Sequence, residues 1–384
     1  MPIEREEARK KLGPNDMDIA ESKEIARLRR TNKELRKKAG DMEWLLEHMS
    51  TMAQQMGVLP PVSQAPRILP KDMAQRRVLH PILTITDAHL EEVVDPEETD
   101  GITAYNFDIF LRRLQRVCQA TIDIVSYHRT SHIIDNLDIF FLGDMVTGEI
   151  HPDVFFSNDF YLPEALTRGP WYIAQAVRDL SAHFVKVRNS CVAGNHGRLD
   201  KKPVSKKAVR RNWDTCLYQS SAIHCMDLDN VEWFIPRSSK CVIDILGWYF
   251  LLQHGDKVPQ SGGITPYYGI ARQRAAEMVK RMGFRVRDLD QKIREGKIFD
   301  YDWRGHHHLY GIIDEKTFLC PALIGNNEFG LDRIFANKTP GARLTFIDED
   351  HGVAGDYRIN FHKDLPEHTF VKLPDWHMPV RREE

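Results

Sequence analysis

The chain has 384 residues, of which 42% are hydrophobic and 28% are charged, and its formal net charge is −2. This composition is that of an ordinary folded protein, so it excludes wholesale disorder and a surface that is basic throughout. The length allows two or three domains at roughly 100 to 200 residues each. The count that stands out is the 17 histidines.

Membrane and redox signals are weak along the whole sequence. The apolar runs stay below the roughly 18 to 20 residues of a membrane helix, and the first residues lack the apolar core of a signal peptide. The six cysteines show no CxxC pairing, so neither a zinc ribbon nor a redox motif is indicated. Buried free thiols in a reducing compartment are the simplest interpretation, and we expect a cytoplasmic protein without a membrane partner.

The first predicted element is one long helix over residues 22–56, whose apolar residues follow a seven-residue repeat. With Ile25 at an a position, every d position is apolar, and Asn32 occupies an a position, where this residue type fixes register and strand number. The pattern predicts a parallel homodimeric coiled coil through residues 24–56. The alternatives are a single amphipathic helix that lies on its own domain and a basic helix that contacts nucleic acid. The d positions are Leu28, Leu35, Met42, Met49 and Met56.

The rest of the chain divides by composition. Residues 57–80 contain several prolines, which cannot continue a helix, and they predict a linker after an N-terminal arm of residues 1–56. Residues 81–365 alternate short apolar runs with helical periods, the pattern of a layered α/β domain. Residues 366–384 contain three prolines and are predicted to form a C-terminal tail on the surface.

Within residues 81–365 the predicted elements alternate along the chain. Buried strands are predicted at 81–87, 137–144 and 190–195, and each ends in a polar residue. Helices are predicted from Phe107 onward, at 163–184 and at 271–282. The run 241–255 predicts a hairpin that turns at Leu246 and Gly247, and further strands are predicted near Phe318 and at 343–347.

Five polar motifs follow the strand-like runs. Taken singly, each has an ordinary structural interpretation as a helix cap, a turn residue or a hydrogen-bonded histidine. Because the carboxyl ends of parallel strands meet at one edge of an α/β sheet, we expect the motifs to lie together. Carboxylate, amide and imidazole groups suit Mn, Fe or Zn better than calcium. The motifs are Asp87-Ala-His89, Gly143-Asp144, Gly194-Asn195-His196, His254-Gly255-Asp256 and Gly305-His306-His307-His308.

The ordered set D-x-H, G-D, G-N-H, H and G-H-x-H resembles the calcineurin-like metallophosphoesterase superfamily, over residues 82–310. The resemblance implies a β-sandwich flanked by helices that binds two divalent ions, bridged by one carboxylate and a water or hydroxide. Mn is the expected metal, with Fe, Zn or Mg as alternatives. The implied ligands of the first ion are Asp87, His89, Asp144 and His308. Those of the second are Asp144, which bridges, with Asn195, His254 and His306.

The resemblance also implies a role for His196, which is similar to the family histidine that contacts the phosphate and assists the leaving group. Two positions depart from the family pattern. Thr147 stands where many members have a second acidic or amide residue, and Gly197 stands where many have an acidic partner for the histidine. We expect His307 to be structural, and Asp256 to accept a hydrogen bond within its loop.

The expected reaction is phosphodiester hydrolysis, with DNA as substrate, similar to the double-strand-break repair nucleases of the superfamily. Nine basic residues and one acid lie between Lys186 and Arg211, and this run begins at the G-N-H motif. Six acids within residues 91–100 would repel a polyanion, and they weigh against a nuclease. The candidate substrate-binding residues are Arg198, Lys201, Lys202, Lys206 and Lys207.

Two other functions remain open from the sequence. One is a phosphatase or phosphodiesterase for small molecules or phosphoproteins, because the superfamily carries several activities on one core. The other is a catalytically silent scaffold that assembles partners through the coiled coil. The aromatic residues that follow the Asp144 loop could stack on bases, although such residues more often belong to a core. They are Phe155, Phe156, Phe160, Tyr161, Trp171 and Tyr172.

Overall fold

The computed structural model describes residues 30, 59, 61–63, 77–150, 158–258, 265–283, 298–328, 330–331, 338–361 and 365–373. The chain divides into two compact units, residues 1–57 and residues 58–384. Apart from Arg30, the predicted coiled coil of residues 24–56 lies outside the described residues, and the homodimer stays a prediction.

Eleven strands and four helices make up the described part of the second unit. This mixture confirms the predicted α/β class. In chain order the strands are β1 (Leu79–Ile85), β2 (Asn136–Phe141), β3 (Lys186–Cys191), β4 (Val231–Phe234), β5 (Lys240–Ile245), β6 (Trp248–Gln253), β7 (Tyr301–Arg304), β8 (Gly311–Ile313), β9 (Thr317–Leu319), β10 (Gly341–Asp348) and β11 (Gly352–Asn360). The helices are α1 (Phe107–Arg129), α2 (Leu162–Ser181), α3 (Trp213–Ile223) and α4 (Tyr267–Gly283).

The strands form two mixed sheets. The first has the order β11-β10-β1-β2-β3-β4, in which β1 to β4 are parallel and β10 is antiparallel to both of its neighbours. The second has the order β5-β6-β7-β9-β8, in which β6, β7 and β9 are parallel. Helices connect β1 to β2, β2 to β3, β3 to β4 and β6 to β7. A short hairpin turn cannot make such parallel connections. The carboxyl ends of β1, β2 and β3 therefore share one edge of the first sheet, and those of β6 and β7 share one edge of the second.

The two sheets pack face to face across one apolar core. Ile82 and Phe140 from the first sheet belong to the same buried cluster as Phe250 and Trp303 from the second. The rings of Phe140 and Phe250 lie 6.3 Å apart, and Trp303 Nε1 donates a hydrogen bond to Thr84 Oγ1 at 3.0 Å. This arrangement is the predicted β-sandwich.

Helices cover the other face of the first sheet. Because successive residues of a strand point to opposite faces, Phe140 enters the core while Phe141 lies 5.8 Å from Tyr218 on α3. Helix α1 begins after Asn106, whose side chain accepts a hydrogen bond from Ile109 N at 2.9 Å, the usual N-cap contact. Its predicted apolar face is buried, through Phe107, Phe110, Leu114, Val117 and Thr121.

The predicted hairpin is confirmed, because β5 and β6 pair in antiparallel fashion on either side of Leu246 and Gly247. Both turn residues have positive φ, at 53° and 81°, as the tightest hairpin turns require. The strand predicted at 190–195 is displaced, since β3 ends at Cys191. Val192 N still donates to Phe141 O, but Gly194 N donates to the side chain of Asp214, which ends the ladder.

Two segment limits differ from the sequence pattern. Strand β1 begins at Leu79, inside the predicted linker 57–80, because Leu79 is buried and pairs with Asp348 of β10. In the predicted tail, Phe370 is buried and Val371 exchanges hydrogen bonds with Gln175 of α2. The described part of the tail is therefore fixed to the helical layer.

The aromatic residues behind the Asp144 loop belong mainly to the core. Phe160, Trp171 and Tyr172 are buried, and Phe160 packs edge to face on Phe107 with the ring centroids 4.9 Å apart. Tyr161 is exposed, and Phe155 and Phe156 lie outside the described residues. Among the described residues, no helix is both long and apolar enough to cross a membrane.

The sandwich core makes a direct stability prediction. Trp303 is fully buried and stacks on Phe318 with ring centroids 4.0 Å apart, so Trp303→Ala leaves a large cavity between the sheets. We expect the free energy of unfolding to fall by about 3–5 kcal/mol. Urea denaturation followed by circular dichroism measures this loss. The matched control is Tyr268→Ala, at a side chain that is 81% exposed, where we expect a change within about 0.5 kcal/mol. Equal losses in the two variants would contradict the assignment of this core.

Candidate metal centre

The seven predicted ligands follow the carboxyl ends of five strands drawn from both sheets. Asp87 and His89 follow β1, Asp144 follows β2 and Asn195 follows β3. His254 follows β6, while His306 and His308 follow β7. We call this set the central cluster; its members are Asp87, His89, Asp144, Asn195, His254, His306 and His308.

The backbone of the central cluster is strained. Five of its residues have positive φ, a region that side chains other than glycine rarely adopt. Such residues cost of order 1–3 kcal/mol each and persist only where the surroundings hold them. Their concentration at one edge of the sandwich is typical of a functional site and makes this edge the candidate. They are Asp87 (49°), His89 (44°), Asp144 (51°), His306 (63°) and His308 (50°).

One half of the cluster is built on Asp87. Asp87, His89 and His308 each offer one ligand atom, and these atoms all lie within 4.8 Å of one another. His308 Nδ1 lies 3.1 Å from the Gly325 carbonyl oxygen, which assigns the proton to Nδ1, and His308 Nε2 lies 3.2 Å from Asp87 Oδ1. The backbone N–H of His306 donates to the Asp87 carboxylate, at 3.0 Å from Oδ2, and so links β7 to β1.

The other half is built on Asp144. Asp144, His254 and His306 form a second group whose ligand atoms also lie within 4.8 Å of one another. His254 Nδ1 lies 2.7 Å from the Leu142 carbonyl oxygen, which directs Nε2 into the cluster. That nitrogen lies 2.8 Å from Asp144 Oδ2 and 3.1 Å from Asn195 Oδ1. The amide oxygen of Asn195 is thus placed among the donors of this half.

Asp144 joins the two halves. It belongs to the group with His254 and His306, and also to a further group with His89 and His196 whose atoms meet the same 4.8 Å limit. Its Oδ1 accepts a hydrogen bond from the backbone N–H of His196 at 2.7 Å. One carboxylate therefore reaches both sets of donors, which is the geometry that a bridging ligand needs.

The buried charges of the cluster depend strongly on one another. Burial raises the pKa of Asp144, but the adjacent His254 and His196 outweigh burial and hold that pKa well below its usual range. Burial lowers the pKa of His254, but the Asp144 carboxylate raises it to about 10. Burial and the neighbouring His254 lower the pKa of His306 to about 4, so its imidazole is neutral and keeps a lone pair for a cation.

These donors fit divalent metal ions. Two buried carboxylates, one amide oxygen and imidazole nitrogens are the ligands that Mn, Fe and Zn accept. Cations would also neutralise the two carboxylates that the fold buries, Asp87 and Asp144. The fit therefore rests on donor chemistry and on the convergence of the ligand atoms.

Sequence reasoning missed Asp214, a fully buried residue in the first turn of α3. Its Oδ2 accepts from Asp144 N at 2.9 Å and from Gly194 N at 2.8 Å, and its Oδ1 accepts from Met145 N at 3.0 Å and Val146 N at 3.3 Å. Burial raises the pKa of Asp214 to about 6. The side chain clamps the G-D loop to the G-N-H loop. Asn212 is the N-cap of α3 and is a typical cap residue, so the start of this helix could have been predicted from the sequence. The contact of Asp214 with the distant G-D loop could not.

Two acids of the run that the sequence suggested would repel a polyanion, Glu91 and Glu92, are buried beside the first motif. Glu92 lies with Oε2 3.2 Å from His89 Nδ1, and it accepts a hydrogen bond from Asn327 Nδ2 at 2.7 Å. Burial lowers the pKa of His89, but the Glu92 carboxylate raises it to about 9. Glu91 accepts from the backbone N–H of Thr147 at 2.9 Å. These two acids are buried and hold His89 and the G-D loop in place.

The structure shows what the backbone at Thr147 contacts, and it explains the glycine at 197. The carbonyl oxygen of Thr147 lies 3.2 Å from His196 Nδ1, so the backbone at this position orients the histidine. Gly197 is needed because a Cβ there would lie 2.5 Å from Asn212 Oδ1. Glycine at 197, in place of an acidic residue, therefore leaves space for Asn212 and the start of α3.

The predicted substrate-binding residues fall into two sets. Arg198 lines a cleft together with Asn195 and His254. The four lysines are exposed on the loop that follows, and they are not among the residues that line this cleft. They are Lys201, Lys202, Lys206 and Lys207. His307 is buried, and Asp256 pairs with Lys257, in agreement with the structural roles expected of both.

No protein-family model matches the sequence, and no curated protein matches it. Among solved structures, the chain is similar to Vps29 from Entamoeba histolytica complexed with Zn²⁺, with 12% identity, 73% of this chain and 99% of that chain covered, and a TM-score of 0.27. It is similar to a predicted phosphoesterase from Streptococcus pneumoniae TIGR4, with 10% identity, 73% and 98% coverage, and a TM-score of 0.25. For phosphopantetheinyl hydrolase from Mycobacterium tuberculosis, the identity is 11%, the coverage 67% and 94%, and the TM-score 0.25. The fold and the central cluster are therefore defined by this chain's own strand order and side-chain geometry.

The clamp on the two loops can be tested by Asp214→Asn. The amide keeps one acceptor oxygen but turns an NH₂ group toward two backbone donors, so we expect the free energy of unfolding to fall by about 1–3 kcal/mol. Urea denaturation measures this change. Asp123→Asn is the matched control, because Asp123 is exposed and accepts a hydrogen bond from Gln119 Nε2 at 2.8 Å. An Asp214→Asn variant as stable as this control would contradict the clamp.

Proposed function

We propose that this chain is a metal-dependent phosphoesterase of the calcineurin-like superfamily that uses two divalent ions. The observation that carries the proposal is the position of Asp144, which reaches two sets of donors at once. The ordered motifs D-x-H, G-D, G-N-H, H and G-H-x-H supply these donors from both sheets of a sandwich. The proposed ligands of the first ion are Asp87, His89, Asp144 and His308, and those of the second are Asp144, Asn195, His254 and His306.

The chemistry of such a pair suits phosphoester hydrolysis. Two bound cations polarise the phosphoryl oxygens, lower the pKa of a water molecule and stabilise the leaving oxygen. The chain supplies the framework for this chemistry. Asn195 contributes an uncharged oxygen, which limits the negative charge around the second site. The Leu142 and Gly325 carbonyls hold His254 and His308 so that each Nε2 faces the cluster.

His196 is the proposed acid of the reaction. Its ring packs on His89 with centroids 4.6 Å apart, and its Nδ1 lies 3.2 Å from the Thr147 carbonyl oxygen, so these two contacts orient the imidazole beside the central cluster. A protonated imidazole there would stabilise charge on the phosphoryl oxygens and could pass its proton to the leaving oxygen. Glu91 Oε1 accepts a hydrogen bond from Gly148 N at 3.0 Å, and this contact fixes the peptide whose carbonyl orients the ring.

For the substrate, we propose DNA, with Mn as the working metal. The support is the cleft beside Asn195 and His254, which contains Arg198, and the exposed lysines on the loop that leaves it. Basic side chains on a surface of this kind bind phosphates with salt-dependent affinity. A phosphatase or phosphodiesterase for smaller substrates is the alternative, and it shares the same catalytic centre.

Replacement of the shared carboxylate tests the two-ion proposal. Asp144→Asn removes the charge that both ions need, so we expect bound metal to fall and hydrolysis of bis-p-nitrophenyl phosphate with manganese to drop about 100-fold or more. Elemental analysis of the purified protein and initial rates measure the two effects. The matched control is Asp123→Asn, because Asp123 is an exposed residue of α1 that accepts a hydrogen bond from Gln119 Nε2, outside the central cluster. Wild-type metal content and wild-type rates in Asp144→Asn would refute the proposal. An inactive wild type without bound metal would favour the scaffold.

A substrate panel tests the assignment to DNA. With manganese, we expect the wild type to degrade labelled single-stranded or double-stranded DNA, and to lose this activity steeply between about 50 and 200 mM salt, because phosphate contacts release counterions. The small diester is the internal control, since its hydrolysis needs few charge contacts outside the cluster. Cleavage of the small diester without cleavage of either DNA would remove the nuclease proposal and keep the phosphoesterase.

A further inference from the structure

A cleft that contains Arg198 lies beside the central cluster. It is lined by Asn195 and His254 of the cluster and by residues of the loop after the G-N-H motif. Pro203, Val204 and Val209 give part of this lining an apolar character. We call this space the Arg198 cleft; its cationic lining residues are Arg198, Arg211, Lys240 and Lys257.

Three of the four cations in the Arg198 cleft are neutralised by carboxylates. Arg211 forms two hydrogen bonds to Asp200, at 3.1 and 3.0 Å. Lys240 pairs with Glu277 at 3.0 Å, and Lys257 pairs with the adjacent Asp256. The positive charges of these three residues are therefore satisfied within the protein.

Arg198 differs from the other three cations. Its Nε donates to the Asp200 carbonyl at 3.0 Å and its Nη2 to the Lys201 carbonyl at 3.0 Å. Both contacts fix the guanidinium without neutralising it, since the acceptors are uncharged backbone oxygens. Within the described part of the chain, no carboxylate pairs with Arg198, and Nη1 keeps its two N–H groups for another acceptor. An oriented, uncompensated guanidinium in a cleft is suited to a phosphate.

We propose that the Arg198 cleft is an anion subsite that binds a second phosphate of the substrate, next to the phosphoester that is cleaved at the central cluster. This inference rests on the proposed phosphoesterase function and narrows its substrate class. The substrate is then a nucleotide chain with phosphates on consecutive sugars, and an isolated phosphodiester is a poorer substrate. The apolar side chains of Pro203, Val204 and Val209 line the same cleft and would pack against a sugar or base of this substrate.

The kinetic test uses substrates that differ by one phosphate. Thymidylyl-thymidine has only the scissile phosphate, and its 5′-phosphorylated and 3′-phosphorylated forms each add one on a known side. With manganese, we expect the wild type to cleave one of the two phosphorylated forms with a kcat/KM about tenfold or more above that of the unphosphorylated form. Arg198→Gln should abolish this preference, and it should lower kcat/KM for bis-p-nitrophenyl phosphate much less than for the preferred phosphorylated dinucleotide. Arg198→Lys keeps the charge but loses the planar guanidinium that can donate two hydrogen bonds to one phosphate. This variant should keep part of the preference.

A binding measurement complements the kinetics and needs no turnover. Titration calorimetry with thymidine 3′,5′-bisphosphate and with thymidine 5′-monophosphate gives the affinity that the second phosphate adds. We expect Arg198→Gln to weaken bisphosphate binding about tenfold. The matched control is Arg77→Gln, since Arg77 is 55% exposed and precedes the amino end of β1, opposite to the edge that carries the cluster.

The outcomes separate the subsite from the catalytic proposal. Loss of the preference in Arg198→Gln but not in Arg77→Gln supports the subsite. A preference that survives in Arg198→Gln, or an equal loss for every substrate, overturns it. A wild type that hydrolyses none of the substrates overturns the phosphoesterase instead, and the bisphosphate titration then decides whether Arg198 binds a phosphate.

Discussion

The buried carboxylate of Asp144 is the constraint on which the candidate site depends. An ionised carboxylate without water is costly unless charges and donors surround it. Here His254 Nε2 lies 2.8 Å from Oδ2 and the backbone N–H of His196 donates to Oδ1 at 2.7 Å. Each contact comes from a different strand end, so the charge of Asp144 can be satisfied only when both sheets are in place.

The packing of the two sheets therefore has a consequence for the candidate metal centre. His254 and His306 follow strands of the second sheet, whereas Asp87 and Asp144 follow strands of the first. The core that holds the sheets together, including the stack of Trp303 on Phe318, fixes the separation of these donors. Since ligand geometry tolerates errors of only a few tenths of an ångström, a rigid apolar core is a condition for metal binding as well as for stability.

Much of the fold and of the cluster could be predicted because their signals are local. The apolar face of α1, the hairpin turn at Leu246 and the polar residue after each buried strand are all visible within short windows of sequence. The ligand motifs could be joined because parallel strands bring their carboxyl ends together. These predictions needed only the periods of helices and strands.

What could not be predicted depends on contacts between distant segments. Asp214 is 70 residues from Asp144, and the sequence around it shows only an ordinary helix start. The displaced end of β3 has the same origin, since the Asp214 carboxylate takes the N–H of Gly194 away from the strand ladder. Glu92 looked like part of an exposed acidic run, but the fold buries it against His89. Tertiary pairing decides these roles, and no local pattern records it.

The count of charges in the sequence shows the same limit of local patterns at the Arg198 cleft. In the sequence, all basic residues of the run after the G-N-H motif look equally able to bind a polyanion. In the structure they differ, because some pair with a carboxylate and Arg198 contacts backbone carbonyls instead. Arg211 is neutralised by Asp200, while the backbone carbonyl of that same aspartate orients Arg198 without reducing its charge. A single residue thus removes one cation from the cleft and positions another. Because an unpaired, oriented guanidinium gains more from a phosphate than a paired one, the position of the acid decides which basic residue can recognise the substrate.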